Sequence, residues 1–168
     1  MCMSVSLLKR LMRSEGFRSA PYVCPAGRAT IGYGHNLEAH PDAITPWDRR
    51  LADETAAGRV RGQELVRRLA AAGMVWSREE AENQLRADVA AVTDELSARC
   101  PAYRHLINLA AAALAGRTEG PAGNVHAARA RARAEVLIDM AFNLGLSGLL
   151  RFRDTLARVS ADDYEGAA

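Results

Sequence analysis

The chain has 168 residues, 49% of them hydrophobic and 25% charged, a composition that excludes disordered, collagen-like and disulfide-scaffolded chains and suits one soluble domain with its own core. Its 22 basic residues face 20 acidic ones, so net charge alone argues for neither a nucleic-acid nor a membrane partner. Cys2, Cys24 and Cys100 are odd in number and lack metal-ligand spacing, which reads as reduced thiols.

The first element is a helix expected over Ser6–Ser14, with Val5, Leu8, Leu11 and Met12 as its apolar stripe and Gly16 as its stop. The N-terminus has too short an apolar stretch for a secretory signal, and no run approaches the roughly 18 apolar residues of a membrane span. The stretch FRSAPYVCPAGRATIGYGHNL changes character: two short extended runs flank Pro25-Ala26-Gly27, predicting a small antiparallel hairpin or three-stranded sheet. Two short helices are expected within Pro46–Ala57 and Gly62–Ala72. Ser77-Arg78-Glu79-Glu80 forms a capping box that opens a helix with Ala81, Leu85, Val89, Val92 and Leu96 on one face, stopped by Pro101. GRTEGPAGN reads as a loop between Ala-rich helical arms. An apolar helix is expected around Glu135–Leu144, broken by Gly145; GLLRFRDTLARV is read as another, and DDYEGAA as the start of a last one. Arg129, Arg131 and Arg133 read as a solvated helix face, because the first and last share a side that Arg131 leaves. The fold class is therefore α+β: a small β element, then helices.

Glu15 stands at the seam between the first helix and the hairpin. A carboxylate held there by a rigid helix suits general-acid work once desolvation raises its pKa. Cys24 follows nine residues later and Thr30 six after that, inside TIGYGH. The string EGFRSAPYVCPAGRATIGYGH resembles the phage-type, T4-like lysozymes, the endolysin family of muramidases. In that family a helix-end Glu leads into a hairpin carrying Asp or Cys, then a Thr in T-x-G-x-G-H. SREEAENQLRADVAAV is similar to the family's lobe-joining helix, and RAEVLIDMAFNLGLSGLLRFRDTLARV to its central helix, corner and following helix.

The resemblance implies a single two-lobed lysozyme-like domain over 1–168. Its small β lobe spans about 16–76, and its helical lobe about 77–168 together with the N-terminal helix. Residues 107–131 look like an insertion, and Ala168 falls where the family normally continues. The implied reaction is hydrolysis of the β-1,4 bond between N-acetylmuramic acid and N-acetylglucosamine, with Glu15 as general acid and Cys24 and Thr30 placing the water. Gly34, Asn36, Phe142, Asn143 and Thr155 match substrate-contact positions, and His35 is expected to pair with Asp88 as a structural link. No cofactor or metal is implied. The partner is bacterial peptidoglycan, with no nucleic acid and no stable membrane association, and the chain is expected to be a monomer. It would stay in the host cytoplasm until a holin-type pore releases it to the wall. Two alternatives remain beside this reading: a truncated, inactive peptidoglycan-binding relative, and a lytic transglycosylase, which uses no water.

Overall fold

The structure is a computed structural model and describes residues 5–115 and 121–167. Its elements are α1 (Val5–Glu15), β1 (Arg18–Val23), β2 (Ala29–Gly32), β3 (His35–Asn36), a 3-10 turn (Pro41–Ile44), α2 (Arg49–Ala56), α3 (Gly62–Ala71) and α4 (Arg78–Arg99), then α5 (Pro101–Leu114), α6 (Pro121–Leu144), α7 (Leu146–Leu149), α8 (Arg153–Ser160) and α9 (Tyr164–Ala167). The architecture is α+β, with one three-stranded antiparallel sheet in the order β1-β2-β3. The chain divides into two compact units, Met1–Asp88 and Val89–Ala168. The division falls inside α4, and α1 is grouped with the sheet.

In the first unit, Cys24 begins a tight turn: its carbonyl accepts from Gly27 N–H at 2.8 Å, and its N–H donates to the Arg28 carbonyl at 2.9 Å. Gly27 takes φ +78°, the left-handed residue that this hairpin type requires. β1 pairs with β2 through Tyr22↔Thr30 and Val23↔Ala29, but the register shifts between Arg18 and Tyr22. Pro21 lies in that interval, where a bulge spares the ladder the N–H that proline lacks. The sheet's inward residues, Ala29 and Ile31, join Leu37, Ile44, Leu51, Leu65, Leu69 and Met74 in one buried cluster. Each fully buried Leu or Ile there contributes about 1.5–3 kcal/mol of transfer free energy. Glu38 ties this unit together, its Oε1 accepting from Ala29 N–H at 2.9 Å and Gly62 N–H at 2.8 Å.

The second unit is helix on helix. α5 buries Ala102, Tyr103, Leu106 and Ala110, and α6 buries Ala127, Ala130, Ala134, Leu137, Ile138 and Ala141. Those α6 positions recur at helical spacing, and the small side chains let backbones approach closely. Pro101 ends α4 and occupies the first turn of α5, where its missing N–H costs nothing.

Several expectations change. In α1 the buried stripe is Leu7, Leu8 and Leu11, while Val5 is exposed and Met12 is half-buried. The helix expected from Pro46 starts at Arg49, because Asp48 caps it by accepting from Leu51 N–H at 2.9 Å. The Ala-rich arms are helices α5 and α6, and α6 begins at Pro121, so the end of the expected GRTEGPAGN loop is helical. The remainder of that loop, 116–120, lies outside the described residues, as does Cys2. The helix expected over GLLRFRDTLARV is two, α7 and α8, interrupted at Leu150–Phe152. Arg133 leaves the solvated set by lying 3.4 Å over the Tyr164 ring.

Candidate active site

Glu15 is the last residue of α1, and Gly16, at φ +69°, ends the helix there. The side chain is half-buried. Its carboxylate rests against Gly34 in the turn between β2 and β3: a Cβ built on Gly34 would stand 2.8 Å from Glu15 Oε2. Gly34 also holds φ +85°, so this position needs glycine both for its backbone and for the space the carboxylate fills. Tyr33, between the two glycines, is buried with its ring 5.6 Å from Phe17, and its hydroxyl accepts from Arg78 at 2.8 Å.

Cys24 is half-buried at the end of β1. Burial pushes its thiol up, but the Arg28 backbone N–H, the Thr30 hydroxyl and the Ala26 backbone N–H outweigh that and hold it below its usual range. Thr30 is buried on β2, and its hydroxyl donates to the Arg28 carbonyl at 3.0 Å. Tyr22, paired with Thr30 across the ladder, belongs to the same field: burial raises its phenol pKa, Arg18 at 4.3 Å from its ring opposes, and Glu15 and Cys24 raise it further.

The structure brings His35 and Asp88 together, Nδ1 lying 2.9 Å from Oδ2 and 3.1 Å from Oδ1. His35 is buried, its ring 5.5 Å from Trp76 and 5.0 Å from His40. Gln84 donates to Asp88 Oδ1 at 2.8 Å, which orients the carboxylate toward the histidine. The link joins β3 to α4 across 53 residues of chain.

Asn36 turns its amide oxygen inward on its own loop, accepting from Glu38 N–H at 3.0 Å and Ala39 N–H at 3.2 Å. Phe142 is half-buried near the end of α6, and Asn143 folds back to donate to the Asp139 carbonyl at 2.8 Å. Thr155 is half-buried in the first turn of α8. Phe142, Asn143 and Thr155 belong to the second unit; Glu15, Cys24, Thr30, Gly34, His35, Asn36 and Asp88 belong to the first.

Sequence reasoning missed Arg18, Tyr22 and Tyr33. The strand alternation held a signal for Tyr22, which sits on β1 two residues before Cys24. Tyr33 had only its place between two glycines. Among the described residues no group of three or more His, Cys, Asp or Glu is placed to hold a metal ion. No described helix is long and apolar enough to cross a membrane.

Comparison with protein families matches residues 12–168 to the family described as phage lysozyme. No curated protein matches the sequence.

Proposed function

From the premise that this chain belongs to the phage lysozyme family, a family of peptidoglycan hydrolases acting on the cell wall, we propose that it cleaves the β-1,4 bond between N-acetylmuramic acid and N-acetylglucosamine. Glu15 is the general acid, protonating the departing glycosidic oxygen. Cys24 and Thr30 hold the attacking water, which reaches the anomeric carbon from the opposite face and inverts it. The observation that carries this reading is the seating of the Glu15 carboxylate on Gly34, in the same compact unit as a Cys24 thiol held below its usual pKa. A thiol pKa held below its usual range favours the thiolate, which accepts a hydrogen bond from water better than a neutral thiol does. Phe142, Asn143 and Thr155 carry no step of this chemistry. Release from the host cytoplasm by a separate pore-forming protein belongs to the same proposal.

The test is lysis of outer-membrane-permeabilised Gram-negative cells, followed by turbidity, with the native chain and Glu15→Gln. The substitution is expected to reduce the rate by about 100-fold or more, the usual contribution of a general acid. Lysis that survives Glu15→Gln overturns the assignment of the acid. A folded native chain that binds sacculi without cutting them makes it an inactive relative. Mass analysis of the fragments separates the two chemistries, because hydrolysis adds water and a transglycosylase leaves a 1,6-anhydro sugar of lower mass.

A further inference from the structure

None of the catalytic candidates lines the cleft of about 570 Å³ that lies in the first unit between the segment before α2 and the start of α4. Its walls include Pro46, Trp47, Trp76, Glu80, Asn83 and Gln84. The chain contains only two tryptophans, and both are here. Trp47 is 38% exposed, which leaves part of its indole open at the cleft. Trp76 is pinned from behind: a Cβ on Gly32 would stand 3.0 Å from its ring, and His35 lies 5.5 Å away. One indole is thus held rigid by the sheet, and the other stands open across the cleft.

We propose that this cleft binds a neutral chain of N-acetylated amino sugars. A pyranose ring presents apolar C–H faces that stack on indoles, and hydroxyl and amide edges that need hydrogen-bond partners. Asn83 and Gln84 supply those edges. Gln84 gives its Nε2 to Asp88 at 2.8 Å, so its carbonyl oxygen is the acceptor it can offer a ligand, while the exposed Asn83 has both a donor and an acceptor. Among the described residues that line the cleft the charged one is Glu80, whose carboxylate is held by Ser77 N–H at 2.7 Å in the cap of α4. A negative charge and no cation among those residues disfavour phosphates, nucleic acids and other polyanions, and admit an uncharged glycan.

The cleft is also continuous with the catalytic framework. Gln84, Asp88 and His35 form one hydrogen-bonded series from the lining to β3, and Trp76 backs the strand that carries Thr30. The identification of the ligand as the sugar backbone of peptidoglycan, whose charges are carried by the peptide stems and not by the N-acetylated rings, rests on the function proposed above. On that reading the cleft grips a stretch of glycan away from the bond being cut and raises the local concentration of the rest.

The test uses the full chain carrying Glu15→Gln, so that no sugar is consumed, and follows the two indole N–H resonances by NMR. The probe is a β-1,4-linked tetramer of N-acetylglucosamine, with maltotetraose as the control that lacks N-acetyl groups. Both indole resonances are expected to shift and saturate with the first sugar. Trp47→Ala and, separately, Asn83→Ala are each expected to weaken binding by about tenfold, the loss of one aromatic or amide anchor. Asn83 is exposed on α4, so its variant keeps the test valid where Trp47→Ala perturbs folding. Silent indoles alongside shifted amides around Glu15 and Cys24 overturn the proposal, as does an equal response to maltotetraose. Lysis by the native chain with silent indoles removes the second site and leaves the hydrolase reading standing. Saturable indole shifts without lysis do the reverse.

Discussion

In the sheet unit, side-chain hydrogen bonds span long stretches of chain: His35 reaches Asp88, Glu38 reaches Gly62, and Arg78 reaches Tyr33. In the helical unit, Thr93, Asn143 and Ser160 bond to carbonyls one turn away, while His105 lies 3.0 Å from Asp162, a link that spans 57 residues. The helical unit coheres instead through buried Ala, Leu and Ile on α5 and α6. Apolar packing is non-directional and fixes a helix's place better than the aim of a polar group. Directional bonds across the sheet unit fix both. Chemistry that needs sub-ångström placement therefore belongs where such bonds cross-brace the backbone.

The largest effect that would test this contrast is Gly34→Ala. The new Cβ meets the end of a flexible side chain, so the fold survives while the Glu15 carboxylate is pushed aside. Lysis is expected to fall about 100-fold, the cost of a displacement near 1 Å at a reacting group. Denaturation should record only about 1–2 kcal/mol for a non-glycine residue at that positive φ. A loss of activity no greater than the loss of stability would remove Gly34 from the placement of Glu15.

Next comes a matched pair. Asp88→Asn is expected to cost about 1–3 kcal/mol in urea denaturation, because it weakens the partner of a buried imidazole. Asn143→Ala, which breaks an exposed bond within one helix, is expected to stay within about 0.5 kcal/mol. Equal costs would erase the distinction between the two units.

A smaller effect is read through Cys24. Its pKa is depressed, so the thiolate forms at lower pH than in an ordinary thiol. The stability it contributes is present above the unfolded thiol pKa and is lost as pH falls through the lower folded one. Alkylation by iodoacetamide, assigned to Cys24 by peptide mapping, should follow that lowered pKa. Thr30→Val removes one donor and should move the profile to higher pH. An unmoved profile would show that the Thr30 hydroxyl does not support the sulfur.

The smallest effect lies in the helical unit. The Tyr164 hydroxyl, then His105, hold the Asp162 carboxyl below its usual range. Its contribution is present above the unfolded carboxyl pKa and lost as pH falls through the lower folded value. The group is exposed, so Asp162→Asn should cost less than about 1 kcal/mol at pH 7 and nothing once the carboxyl is protonated, as thermal melts at neutral and acid pH would record. A large loss would show that this unit too depends on a directional polar link.

Much of the fold is legible wherever a local rule is strong. The Pro25-Ala26-Gly27 turn, the Ser77–Glu80 capping box, the stop at Pro101 and the break at Gly145 each depend on a few adjacent residues. The start of α6 was not legible. Pro and Gly at 121 and 123 read as a loop, yet Pro suits a first helical turn, and Ala127, Ala130 and Ala134 are buried against neighbours that periodicity does not reveal. Val5 and Leu7 exchanged roles in α1 for the same reason. Both are apolar, and packing chose between them.

The spacing from Glu15 through Cys24 to Thr30, and the hairpin that carries it, are written in contiguous sequence, since backbone turns close over a handful of residues. The rest required the folded chain. Only chain closure brings Asp88 across 53 residues to His35, seats the Glu15 carboxylate on Gly34, and sets Trp76 against Gly32 to wall a cleft that no motif marked. Those contacts arise from a core that must close before their partners meet, and a core records the volume and shape of its neighbours rather than their order in the chain.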